Sequence, residues 1–392
     1  MLQPYQSLPY SDFSDPARAA EYRRALEQVG AQLGTHAPLV IGGQAVATDG
    51  EIRSVDPSRP LRLVGTAASA TDDHAAQALS AAWEAFPGWS RTSADKRAEI
   101  VHRVGDLIAA RVYEFAAWQT YEAGKNWVEA EADVAEAIDF CRYYAHQALA
   151  MDTPLPVYDY PGETNDSWLQ PIGAGVVIPP WNFPLAILVG MTMGPVAAGN
   201  TVVLKPASNT PLVGWGFMQI LEEVGMPPGV VNYLPGPGAR VGDHLVDDPT
   251  TRFINFTGSK EVGLRIAERA AHVHGDQKWM KRAYMEMGGK DALIVDETAD
   301  LDAAAADVVR SAFGFQGQKC SACSRLIVVD EVHDDLVARV VEHTDALDIG
   351  PPSENHAVGP VISDDQFGSI LEEIGRGGAE GTLVTGGSSI SH

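Results

Sequence analysis

Basic residues, cysteines and long unbroken apolar runs are all scarce in this 392-residue chain. Lys and Arg number 28 against 52 Asp and Glu, a formal net charge of −24. Such a surface repels phosphate backbones and anionic lipid, so neither nucleic acid nor a membrane is an expected partner. Three cysteines, Cys141, Cys320 and Cys323, are too few and too odd in number for a secreted disulfide framework, and a reducing cytoplasm is expected. The opening Met1-Leu2-Gln3-Pro4-Tyr5 lacks the basic flank and apolar core of an export signal. Charge is missing altogether from Ser167 to Leu204, a length sufficient to cross a bilayer. Pro171, Pro179, Pro180, Pro184 and Pro195, with Gly173, Gly175, Gly190, Gly194 and Gly199, cut that stretch into pieces too short to span, and it reads as buried core. No internal repeat is evident.

The composition present, 45% apolar and 20% charged, is that of a globular protein, and the length predicts two or three domains. Helical patterns run from Asp15 to about Leu33, Thr71 to Phe86, Ser93 to Glu122 and Asn126 to Leu149. Short strands are expected between Pro38 and Thr66, and a hairpin-like excursion between Thr153 and Pro171. From Gly173 the rhythm becomes β-α. Val176-Val177-Ile178, Thr201 to Leu204, Val230 to Tyr233 and Phe253 to Phe256 alternate with helical segments, as parallel strands buried on both faces do. After Gly288-Gly289 the rhythm resumes with Ala292 to Val295 and Arg325 to Val329, the start of a second α/β domain, and the tail from Gly377 is rich in Gly and Ser.

Five segments carry chemistry. Gly317-Gln318-Lys319-Cys320-Ser321-Ala322 sets a cysteine beside a lysine at an expected helix start, two features that favour the nucleophilic thiolate; the plain alternative is an inert buried cysteine. Cys320 and Cys323 lack a second Cys or His pair, so no metal site is expected. Pro180-Trp181-Asn182-Phe183-Pro184 follows a strand and holds an amide rigidly where open α/β sheets bind ligands; it is equally readable as an Asx turn. Met285-Glu286-Met287-Gly288 places a carboxylate between apolar neighbours that would raise its pKa toward that of a general base. Lys205-Pro206-Ala207-Ser208 offers a cation and a hydroxyl to ribose or phosphate, and Thr257-Gly258-Ser259 opens a helix whose free N–H groups suit a pyrophosphate. Gly236, Gly238 and Gly242 are spaced one residue too widely for the usual dinucleotide fingerprint.

In this order the five segments resemble the aldehyde dehydrogenase superfamily, from about residue 36 to the end. The run Phe313 to Arg325, Glu131-Ala132-Asp133 with Glu136 to Phe140, and Ile178 to Pro184 are most similar to the branch that oxidises L-glutamate 5-semialdehyde to glutamate. The resemblance implies a Rossmann-type cofactor domain formed by residues 36–152 and 171–286, a helical arm over 1–35, a bridging and oligomerisation excursion over 153–170, and an α/β catalytic domain over 287–392. It further implies Cys320 as nucleophile, Asn182 as oxyanion donor and Glu286 as base. Ile178, Pro179, Pro180, Trp181, Lys205, Ala207, Ser208, Gly238, Gly242, Thr257, Gly258, Ser259, Val262 and Gly288 would line an NAD site. Glu136, Phe183, Lys319 and Ser321 would meet a small aldehyde substrate, and the family implies a homo-oligomer.

Two departures accompany the resemblance. The family's Glu-Ile-Phe-Gly-Pro-like segment, substrate-carboxylate loop and closing strand have no counterpart after Val384, which leads to the expectation of a partial catalytic domain and weak turnover. Ser208 stands where many relatives carry a glutamate that repels a 2′-phosphate, so NADP is not excluded. Two other classes of function fit the same residues: a cofactor-independent thiol hydrolase and a non-catalytic binding protein.

Overall fold

The structure, a computed structural model, describes residues 4–390. Met1, Leu2 and Gln3, read above as part of a non-signal N-terminus, lie outside that range with the last two residues. Helix α1 (Pro16–Gly30) is capped by the Asp15 carboxylate, which accepts from the Ala17 N–H, and buries Tyr22, Leu26 and Val29 on one stripe. Short strands β1 (Thr35–Ala37), β2 (Leu39–Ile41) and β3 (Gln44–Val46) precede a hairpin of β4 (Glu51–Asp56) and β5 (Arg59–Ala68). Helices α2 (Asp72–Trp89), α3 (Ala94–Ala109), α4 (Val112–Ala123) and α5 (Trp127–Met151) follow.

The single helix expected over Ser93 to Glu122 is two. Its chain breaks at Arg111, whose φ of −128° and ψ of 29° leave the helical region. The local residues, Ala109-Ala110-Arg111-Val112, are ordinary helix formers. The break therefore comes from packing, since α4 turns to lie against α1 and α5 while Arg111 pairs with Glu223. Helix α4 stops at Gly124, which takes the left-handed φ of 72° that a side chain resists.

The excursion between α5 and the next strand contains only one antiparallel bridge, Leu155 to Ser167, and leaves Leu155, Val157, Tyr158, Tyr160, Trp168 and Leu169 exposed. The charge-free segment then becomes β6 (Ala174–Ile178), α6 (Ala186–Ala197) and β7 (Thr201–Leu204), with Val176, Val177, Val202 and Val203 fully buried. The β-α alternation continues through α7 (Pro211–Glu223), β8 (Val231–Tyr233), α8 (Asp243–Asp247), β9 (Phe253–Thr257), α9 (Lys260–Ala271) and β10 (Arg282–Glu286). These build a seven-stranded sheet in the order β10-β9-β6-β7-β8-β2-β3, parallel from β10 to β8 and antiparallel at β2 and β3. Strand β6 starts the parallel series yet lies between β7 and β9, the order reversal at which doubly wound sheets open a ligand crevice. Gly175 permits that neighbourhood, since a Cβ there would stand 2.2 Å from the Phe253 ring.

A separate three-stranded sheet has the order β1-β5-β4. Beyond β10, β11 (Asp291–Val295) and β12 (Cys323–Val328) form a parallel pair. Helices α10 (Leu301–Phe313) and α11 (His333–Asp345) pack together on Val295, Ala305 and Leu336, and α12 (Asp364–Glu380) has no buried residue. Among the described residues, no helix is long and apolar enough to cross a membrane.

Candidate active site

The crevice between β6 and its neighbours gathers five of the fourteen expected cofactor residues. Ile178 at the end of β6, Lys205 after β7, Gly238 and Gly242 after β8, and Val262 in the first turn of α9 line one cavity of about 310 Å³. The overlong Gly238 to Gly242 spacing forms a turn of π-helix, which takes up the extra residue while Gly242 faces the Lys205 side chain. Lys205 is buried, its ammonium meets only the Pro206 carbonyl, at 3.2 Å, among the described residues, and burial lowers its pKa to about 8. A buried cation so poorly partnered beside two side-chain-free glycines fits an anionic dinucleotide. Asp243, Glu261 and Arg265 also line the cavity and were not singled out in the sequence; Arg265 and Asp243 pair at 3.0 Å.

Pro179, Pro180 and Trp181 continue the chain from Ile178, and Ala207 and Ser208 continue it from Lys205, where the Ala207 carbonyl accepts from the Thr210 N–H. The expected N–H cradle at Thr257-Gly258-Ser259 is narrower than its sequence promised. Gly258 N–H is taken by the Glu286 carbonyl, the Ser259 hydroxyl caps the Val262 N–H, and the Thr257 hydroxyl meets the Met191 sulfur. Gly288, in the loop between β10 and β11, does not line this cavity.

The nucleophile segment departs from expectation in its local structure. Helix α10 ends at Phe313, and a 3₁₀ turn over Gly314–Gly317 leads to an exposed Cys320 three residues before β12. No helix begins at Cys320, so no helix dipole acts on its sulfur. Phe315 and Gln316 hold positive φ angles of 49° and 57°, a conformation that costs non-glycine residues about 1–3 kcal/mol each and persists only when surroundings enforce it. The surroundings do so. Phe315 is buried against Trp181, Gln316 Nε2 donates to the Pro360 carbonyl at 2.6 Å, and Gln318 Oε1 accepts from the Ile362 N–H at 3.0 Å.

Asn182 reaches this loop directly, its Nδ2 donating to the Gln318 carbonyl at 2.9 Å. A side-chain amide nitrogen carries two hydrogens, so this bond leaves one N–H for a further acceptor. The chain that continues from Glu286 also reaches this loop. The register of β11 on β12 pairs Asp291 with Cys323, and a Cβ on Gly289 would stand 3.1 Å from the Cys320 carbonyl. The apolar pocket expected around Glu286 is absent. Side chains alternate along β10, so Met285, and Met287 just beyond the strand, pack on Ile254, Phe256 and Ile266 while the intervening carboxylate is exposed.

Lys319 does not present a free charge to the thiol, because its ammonium pairs with Glu129 at 2.7 Å. Ser321 is exposed, and Phe183 faces the ammonium of Lys125 at 4.1 Å. Glu136 keeps part of its surface in solvent, yet the surrounding protein and the Asp133 carboxylate push its carboxyl up. Cys323 opens β12 and donates to the Arg325 carbonyl. Lys125 and Glu129 escaped the sequence reading because nothing local distinguishes them from surface residues at a helix start. Among the described residues, no group of three His, Cys, Asp or Glu could hold a metal.

An exposed cysteine in a strained loop, hydrogen-bonded to a side-chain amide, with a cavity at the order reversal of a doubly wound sheet, is the arrangement of a thiol-dependent dehydrogenase. Residues 45–392 match the aldehyde dehydrogenase family model, and the chain belongs to that family. It is 52% identical over 388 residues to the 1-pyrroline-5-carboxylate dehydrogenase of Geobacillus kaustophilus (strain HTA426), covering 99% of this chain and 75% of the relative. The crystal structure of 1-pyrroline-5-carboxylate dehydrogenase from Thermus with bound NAD superposes with a TM-score of 0.98 at 49% identity, covering all of this chain and 76% of that one. Proline utilization A from Bdellovibrio bacteriovorus, inactivated by N-propargylglycine, superposes at 0.94 with 40% identity over 99% of this chain and 41% of its own.

Proposed function

We propose that this chain oxidises L-glutamate 5-semialdehyde, the open form of 1-pyrroline-5-carboxylate, to L-glutamate with NAD as acceptor. The observation that carries the reading is the Asn182 amide fixed on the carbonyl two residues before Cys320, with Gly289, three residues past Glu286, close to the Cys320 carbonyl. In the proposed mechanism the Cys320 thiolate adds to the aldehyde carbon, and the free N–H of Asn182 holds the resulting oxyanion, a contribution of about 3 kcal/mol for one such donor. When bound, the dinucleotide supplies the hydride acceptor. Collapse of the oxyanion leaves the acyl group on Cys320 as a thioester. Glu286 then takes a proton from water, whose oxygen attacks the acyl carbon and releases the acid and the thiolate. The sum is aldehyde, NAD⁺ and water giving carboxylate, NADH and two protons.

Lys205, Gly238, Gly242 and Val262, with the Ile178 to Trp181 loop, Ala207 and Ser208, Thr257 to Ser259, and Gly288 nearer the nucleophile, are the residues we assign to the cofactor. Phe183, Ser321, Glu136 and the Lys319–Glu129 pair are assigned to the substrate. Residues 36–152 and 171–286 act in this reading as the cofactor-binding part, 287–392 as the part bearing the nucleophile, and the exposed 153–170 excursion as a contact between copies in a cytoplasmic homo-oligomer. Supplying the semialdehyde and NAD and following NADH at 340 nm tests the function. Glutamate formed in step with NADH is the expected result. Ester cleavage without any NAD binding would favour a thiol hydrolase instead.

A further inference from the structure

A fully buried ion pair sits behind the site, outside the residues that touch substrate or cofactor. Lys125, immediately before α5, places its ammonium 2.8 Å from Asp133 Oδ2, and neither side chain has any exposed surface. Stripping two charges of water is expensive, and a buried pair of this kind contributes little net stability compared with apolar packing. Its surroundings point to another role. The Lys125 ammonium lies 4.1 Å from the centre of the Phe183 ring and 4.8 Å from that of Phe315, contacts that are strongest where water is excluded. Phe183 directly follows Asn182, and Phe315 is the first of the two residues held at positive φ in the turn before Cys320. Asp133 completes the arrangement, its Oδ1 accepting from the Ala186 N–H at 2.6 Å where the Asn182 loop runs into α6.

We propose that Lys125 and Asp133 are positioning residues that lock the Asn182 loop and the Cys320 loop to each other through one buried ammonium held between Phe183 and Phe315. This deepens the proposed function and rests on its assignment of Asn182 and Cys320. Without the ammonium, the strained turn at Phe315 and Gln316 loses the partner that faces its ring, and the oxyanion donor loses its fixed distance to the nucleophile.

The test is hydrogen exchange of the full chain, read on peptides spanning 179–188 and 314–322. Lys125→Met alone strands a buried carboxylate, so the informative variant is Lys125→Met/Asp133→Asn, which is neutral and keeps an acceptor for the Ala186 N–H. Both peptides should exchange at least about tenfold faster while α3 and α7 keep their protection, because the opening is local. In turnover the same variant should lose at least about tenfold in kcat with KM within about threefold, a split that a purely stabilising pair does not produce. Phe315→Leu, with the ion pair intact, should loosen 314–322 alone. Unchanged exchange at 314–322 in Phe315→Leu overturns the proposal whatever the double variant does, as does uniform loss of protection or wild-type exchange in the double variant. Exchange needs no turnover, so a wild-type chain that oxidises no semialdehyde would refute the function without touching this result.

Discussion

Cys141 and Cys320 have the same side chain and opposite fates. Cys141 is fully buried in the core beneath α3, where desolvation pushes its thiol far up, whereas Cys320 is exposed beside Asn182's anchor point. Iodoacetamide near neutral pH followed by peptide mapping should therefore modify Cys320 first and leave Cys141 intact; predominant labelling of Cys141 would contradict the assignment. Glu286, exposed on the face of β10 opposite the methionines, has the solvent access that activation of water requires. Glu286→Gln should retain the first-turnover formation of NADH and slow steady-state turnover by a factor on the order of 10² to 10⁴. Equal loss of both phases would remove Glu286 from thioester hydrolysis. Ser208 puts no negative charge near the Lys205 end of the crevice. NADP should bind measurably, and Ser208→Glu should weaken NADP more than NAD by like-charge repulsion, read as the ratio of the two dissociation constants. Equal weakening would place Ser208 outside the ribose site.

At the scale of elements, α4 and α7 are joined by a carboxylate. Helix α7 has no side-chain cap of its own at Thr210. Glu122, near the end of α4, supplies one by accepting from the Leu212 and Val213 N–H groups at 2.8 Å each. Burial raises the Glu122 carboxyl from 4.5 to about 7, against the lowering by those two N–H groups. A carboxyl whose pKa is higher folded than unfolded binds more protons in the native state, so its contribution is full below about pH 4.5 and is lost as pH rises toward 7. The difference is on the order of 3 kcal/mol. Denaturant melts of wild type and Glu122→Gln should converge in their pH slopes outside this window and diverge within it, with the wild type falling more steeply from pH 5 to 7. Parallel slopes throughout would show that Glu122 does not change its protonation on folding. The α3–α4 break belongs to this scale too, since it follows from packing against α1 and α5 and not from any breaker at Arg111.

For the whole molecule, the net charge of −24 keeps like surfaces apart, so association between copies needs a local apolar contact strong enough to overcome it. The excursion after α5 exposes Tyr158 at 98%, and Tyr160, Trp168 and Leu169 within the same segment, a run of apolar surface of the kind that marks contacts between proteins. Sedimentation velocity should find a homo-oligomer that dissociates in Tyr158→Asp/Trp168→Asp, with the far-ultraviolet circular dichroism unchanged. A monomeric wild type, or a variant that stays associated, would move the contact elsewhere.

Much of this architecture was legible in residue order, because parallel strands buried on both faces must be continuously apolar: Val176-Val177-Ile178 and Thr201 to Leu204 could hardly lie elsewhere than at the centre of a sheet. Lys205 was legible as a cation just past the end of a strand, where doubly wound sheets bind ligands, whereas Ile178, Gly238 and Val262 were expected only through the family resemblance. Local pattern left Cys320 open between a nucleophile and an inert thiol, and the two features that favoured it, a free lysine and a helix start, are both absent from the fold. What it left undetermined depends on groups far apart in the chain. That Glu286 is exposed and its methionines are not follows from which face of β10 meets Ile266. That Lys319 is neutralised follows from Glu129, 190 residues earlier, and the positive φ at Phe315 and Gln316 from contacts with Trp181 and Pro360. The sequence alone thus determined the order of elements and the chemical types at the site, through periodicity and turn chemistry acting over a few residues. Only tertiary structure decided which charges are paired, which face of a strand is wet and how the two loops meet, because those are set by burial and by distance in space.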